Sequence, residues 1–154
     1  MNEFLKKISS YNIFNYLLPG IIFVILIQSF TNYEIIQEDI IIGVFLYYFI
    51  GLIISRFGSL IIEPFLKWIK FLKFSKYKDY IIASKNNNKI EILLEQSNMY
   101  RTFVSMFLLF FIVKIYELIG IWDKRIFLIV LLFLFLGAYK KQTNYIRNRI
   151  DKNK

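Results

Sequence analysis

Apolar residues fill four long stretches of the chain, 11–30, 40–62, 102–119 and 126–139, and polar residues gather between them. The first three suit a membrane span, which takes about 20 mostly apolar residues in a helix. The fourth is the shortest unless Ile121 and Trp122 extend it. The pattern predicts an all-α, integral-membrane four-helix bundle, a single membrane domain over 1–154. Pro19 and Gly20 predict a bend or break in span 1, and Asn12 and Asn15 fall in its first turn, at headgroup depth. Span 2 ends at Glu63 and Pro64. The connection 65–100 begins with FLKWIKFLKFSKYKDY (65–80), whose apolar and lysine residues alternate in a helical rhythm and predict an interfacial helix. A short helical hairpin turning at Asn86, Asn87 and Asn88 follows, its second arm (89–96) running on into span 3. The turn 120–125 is short, residues 1–10 form a lead-in, and 140–154 a basic tail that starts as helix.

The charges between the spans add orientation. Segment 31–39 carries −3, whereas 67–101 and 140–154 carry +5 each. Lys and Arg collect on the cytoplasmic side of polytopic proteins, so both termini and the connection are expected there and 31–39 outside. Most of the net charge of +9 is thereby assigned to insertion and to anionic headgroups. No sequence-specific nucleic-acid binding is expected from it. At 57% hydrophobic, against about 45–50% in soluble domains, the chain leaves no room for a soluble enzyme domain of ordinary size. It contains neither cysteine nor histidine, which excludes disulfides, thiol chemistry, imidazole bases and the usual zinc sites. Lys6 and Lys7 precede span 1 as they would a signal sequence. Gln28, Phe30 and Asn32 stand where a cleavage site would need small residues, so the span is expected to be a retained signal anchor.

Candidate chemistry is confined to a few polar residues in apolar surroundings. Gly43, Tyr47, Gly51, Ser55, Ser59 and Glu63 recur at i+4 and form one slowly turning stripe on span 2. Gly51, Ser55 and Ser59 permit close helix approach and interhelical hydrogen bonds; the stripe serves helix packing or lines a pore between subunits. Arg56 lies about 25 Å into a core of about 30 Å. It is either a snorkelling arginine or part of a charged latch, with Glu63 or a neighbouring subunit as partner. Lys114, about 18 Å into span 3, forms either a pair with Glu117 at the outer interface or a polar element facing the bundle interior. Lys67, Lys70, Lys73, Lys76, Lys78 and Lys85 are candidate contacts for a partner or for lipid headgroups. No span presents paired carboxylates, and no phosphate loop or Ser/Lys dyad occurs, so no catalytic, cofactor or metal residue is expected.

The runs NIFNYLLPG, GLIISRFGSLIIEPFLKW and YRTF resemble those of small, mostly uncharacterised bacterial four-span proteins, some of which sit beside anti-phage defence genes. The likeness covers spans 1–3 and the connection; span 4 and the tail match only in kind. The resemblance implies an oligomeric inner-membrane effector that permeabilises or depolarises the membrane when a cytoplasmic protein, nucleotide or oligonucleotide signal arrives. The competing expectation is a non-enzymatic anchor or scaffold that recruits a soluble partner through the basic connection. A small transporter ranks third: small four-span multidrug exporters depend on a glutamate in their first helix, and span 1 has no acid.

Overall fold

A computed structural model describes residues 12–87, 89–119 and 124–150, with the side chains at 85, 124, 125, 127, 149 and 150 left out. The lead-in 1–10, residues 120–123 of the expected turn and the end of the tail lie outside the described residues. All described regular structure is helical.

The first span opens with a π turn, Ile13–Leu17, and continues as α1, Leu18–Phe30. Helix α2, Ile40–Phe57, runs through a second π turn, Gly58–Ile62, into α3, Glu63–Trp68. The two prolines of the chain explain both wide turns. In an α-helix the proline ring clashes with the carbonyl four residues back. At Pro19 and again at Pro64 the preceding turn is widened instead: the Leu18 N–H donates to Ile13 O and the Glu63 N–H to Gly58 O, each five residues back. Of the bend or break expected at Pro19, the break does not occur, and the helix continues.

Local chemistry sets the other ends. Thr31 leaves α1 in an extended conformation, its hydroxyl donating to Ile27 O. The Asp39 carboxylate caps α2, accepting from the N–H groups of Ile41 and Ile42. The interfacial helix expected over 65–80 is not formed as one piece. Helix α3 stops at Trp68, and Lys70 adopts a left-handed conformation with φ 61°. The Phe71 N–H then bonds Leu66 O and the Lys70 N–H bonds Lys67 O, the pairing of a Schellman C-cap. Residues 72–76 are irregular, and α4 begins at Tyr77 and ends at Asn86. The Asn87 side chain accepts from the Lys89 N–H at the head of α5, Lys89–Ile119. This hairpin and its continuation into the third span match the expectation. At 31 residues, α5 is about 46 Å long, well beyond a hydrocarbon core.

Three helical segments are long and apolar enough to cross a membrane: Ile13–Phe30, Ile40–Trp68 and Lys89–Ile119. The fourth apolar stretch forms the first half of α6, Lys124–Ile150, which continues without interruption into the basic tail. Large apolar side chains cover the outside, Ile40 at 81% and Leu118 at 88% exposure, as suits a protein solvated by lipid. The chain is a membrane protein.

Its core lies where the first span, α2 and α5 meet. Two glycines set the crossing of the first two spans. A Cβ on Gly20 would fall on the Tyr47 carbonyl, and one on Gly51 would fall on the Tyr16 carbonyl. Backbone meets backbone there, the small-residue packing by which membrane helices associate. Helix α6 lies against α2 and the second π turn, with Phe49 and Phe135 stacked at 6.0 Å and Gly137 beside Leu60.

Candidate functional site

Two polar clusters occupy the crossing. In the first, Asn15, Ser55 and Thr102 come from three separate helical segments and are 1%, 3% and 0% exposed. The Thr102 hydroxyl lies 2.9 Å from Asn15 Oδ1 and 2.9 Å from the Asn98 carbonyl, and its one proton serves one of them at a time. Asn15 Nδ2 reaches Ser55 Oγ at 3.5 Å, and Ser55 Oγ lies 3.4 Å from Thr102 Oγ1. Asn15 therefore does not face headgroups as its position in the first turn suggested; it is a buried interhelical link.

The second cluster surrounds Glu63. Lys67 Nζ donates to its Oε1 and an Arg101 NH group to its Oε2, both at 2.7 Å. Lys141 Nζ stands 3.9 Å from Oε1 and donates to the carbonyl and hydroxyl of Ser59, at 2.6 and 2.7 Å. One carboxylate, 9% exposed at its side chain, thus ties together α3, α5 and α6. Burial pushes the Lys141 ammonium below its ordinary range; the Glu63 carboxylate opposes this, while Arg101, Lys67 and Arg56 reinforce it. Arg101 Nε is buried without a hydrogen-bond partner among the described residues.

The second π turn accounts for this arrangement. Each i+4 step along an α-helix drifts by about 40°. The wider turn reverses that drift, so Gly51, Ser55, Ser59 and Glu63 all stay buried. The stripe packs within the chain against the first span, α5 and α6. The same register shift separates Arg56 from Glu63: Arg56 is half-buried and makes no ion pair with a described residue, so of the partners considered for it Glu63 is not engaged within the chain.

At the opposite end Lys114 pairs with Glu117 at 2.8 Å and also donates to the Phe30 carbonyl. Glu117 Oε1 accepts from the Asn32 N–H. The Lys114 side chain is half exposed and that of Glu117 is only 15% exposed, and the pair fastens α5 to the exit of the first span. Among the lysines of the connection, Lys67 belongs to the Glu63 cluster and lies 4.0 Å over the Phe74 ring. Lys70, Lys73, Lys76 and Lys78 are exposed, and the Lys85 side chain is outside the described residues.

Asn15, Arg101, Thr102 and Lys141 were not singled out by sequence. Glu63 carried the available signal, since an acid among so many bases at a span's end demands partners from other helices. Among the described residues no three carboxylates gather as a cation cage would require. The cluster offers charge and hydrogen bonding, and it sets the Ser59 hydroxyl 2.7 Å from the Lys141 ammonium, a hydroxyl–amine pair that the sequence spacing did not bring together. No family model, curated protein or solved structure matches the chain.

Proposed function

We propose that this chain is a non-enzymatic, multi-pass effector of a bacterial inner membrane, acting as a homo-oligomer. In this reading it has four spans, both termini and the α4–α5 hairpin in the cytoplasm, and it alters membrane permeability on a cytoplasmic signal. The observation that carries the reading is the continuity of α5. One uninterrupted helix bears the exposed hairpin arm, Arg101 on Glu63, and Thr102 in the buried polar cluster. A protein or nucleotide bound to the hairpin would act on both clusters through that rigid rod. Ile82, Ile92 and Leu93 leave the hairpin an apolar surface for such contact. Displacing α5 frees Glu63, Asn15 and Ser55, and polar groups uncovered in lipid must find water or a neighbouring copy. The resemblance to four-span proteins near defence genes makes anti-phage defence the setting to examine first.

Membrane-potential dye recording in cells expressing the chain tests this. Glu63→Gln and Arg101→Gln weaken the closed arrangement and should depolarise cells without any signal. Unchanged potential in well-expressed variants, with and without phage, would sink the reading.

A second reading, an anchor or scaffold, is favoured by one observation: Ser55, Ser59 and Glu63 are already satisfied inside the single chain. It predicts no depolarisation in any variant, while charge reversal at Lys76 and Lys78 removes a soluble partner in pull-downs.

A further inference from the structure

We infer that the Glu63 end of the bundle is a binding site for a phosphate-type anion, held by Arg101 and Lys141. The inference holds whether the chain permeabilises a membrane or only anchors a partner.

Charge is the first ground. Among the described residues Lys67, Arg101 and Lys141 are grouped with one acid, Glu63, and both carboxylate oxygens are already engaged, by Lys67 and Arg101. Lys141 must satisfy its ammonium on a neutral carbonyl and hydroxyl of Ser59, with the carboxylate only at 3.9 Å. Positive charge that is partly withdrawn from water and not neutralised within the chain is matched by an outside anion.

Geometry is the second. Arg101 spends one NH group on Glu63, and its Nε–H has no acceptor among the described residues. That Nε–H is enclosed by the chain, so an anion would be met by the remaining NH2 group, a donor of two hydrogen bonds, and by the Lys141 ammonium. The Arg101 and Lys141 side chains keep 21% and 26% exposure, so an anion reaches them without unfolding the site. A phosphate between Arg101 on α5 and Lys141 on α6 would join the two helices.

Location selects the source to examine first. Trp68, Phe65 and Phe71 surround the same end and are strongly exposed, as aromatic residues are at headgroup depth. A phosphodiester of an anionic phospholipid is already present at that depth; a soluble phosphate compound is the other carrier of the same chemistry.

The test is native mass spectrometry of the full chain released from detergent after incubation with phosphatidylglycerol, phosphatidylcholine or inorganic phosphate. One phosphatidylglycerol per chain should be retained over phosphatidylcholine. Lys141→Gln, which leaves the Glu63–Arg101 and Glu63–Lys67 pairs in place, should weaken retention by about fivefold, the effect of one basic residue at an anionic surface. Lys73→Gln and Lys78→Gln, on the exposed connection, should retain it. Binding of inorganic phosphate that displaces the lipid supports the site and makes a soluble anion its ligand. Equal retention of both lipids without phosphate binding, or equal loss from the Lys73 and Lys141 variants, overturns it.

Discussion

Replacing Glu63 by glutamine is the most informative single perturbation, because one carboxylate serves three bases. The amide preserves shape and one acceptor oxygen, but it removes the negative charge and turns an NH2 group toward cations. Removing one partner from a buried ion pair costs roughly 3–5 kcal/mol when both charges are fully enclosed. Here Lys67, Lys141 and Arg101 retain 43%, 26% and 21% exposure and can turn partly toward headgroup water. The expected loss is therefore smaller, about 2–3 kcal/mol. Arg101→Gln should cost less, since Glu63 keeps Lys67 and Lys141, and the double variant should cost less than the two singles added together. SDS titration of the purified protein in a Trp122→Phe background, followed by the fluorescence of Trp68 on the same helix as Glu63, measures all three. A Glu63→Gln loss below about 0.5 kcal/mol, in the range of a surface pair, or an Arg101→Gln loss at least as large, would refute the idea that the carboxylate organises this end.

Gly51→Ala forces a methyl group onto the Tyr16 carbonyl and should cost about 1–3 kcal/mol in the same titration. Gly43→Ala, whose Cβ meets only the movable Tyr47 ring at 3.3 Å, should be nearly silent; equal costs would contradict the backbone crossing. A double-mutant cycle of Asn15→Leu and Thr102→Val should give a coupling of about 0.6 kcal/mol, the average for interhelical hydrogen bonds in membranes, and at most about 1.7 kcal/mol; zero coupling would remove the buried link. Because the chain has no cysteine, single substitutions report sidedness directly. A membrane-impermeant maleimide added to intact cells should label Glu34→Cys and spare Lys78→Cys, and the reverse pattern would invert the topology.

Hydrophobic length and i+4 spacing carry most of what the sequence makes legible. The stripe from Gly43 to Glu63, the hairpin at Asn87 and the run of α5 into a span all follow from them. What stayed hidden depends on contacts between distant segments. Asn15 looked interfacial because depth was counted along one helix, whereas its burial is set by α2 and α5. Arg101 and Lys141 look like members of basic runs that serve insertion, but α5 and α6 each run on through those runs as one helix and bring them to Glu63. The end of α3 was illegible for another reason: left-handed C-caps favour glycine or asparagine, and Lys70 gives no such sign. The π turns follow from Pro19 and Pro64 in hindsight, but a proline alone does not say whether a helix will kink, break or widen.

The second π turn can also be regarded as an extra residue lodged in an otherwise ordinary helix. Seen that way, Ile40–Trp68 contains one residue more than its α-helical register needs, and everything after it is in phase with everything before it. Deleting Ile61, which faces outward, would close the turn yet leave the carboxylate of Glu63 aimed where it is, at the cost of returning the Pro64 ring to its clash. Inserting a residue at the same place would swing the carboxylate about 100° around the helix and away from Arg101 and Lys141. The span therefore has an asymmetric tolerance to length: it can lose a residue and keep its charge lock, but it cannot gain one.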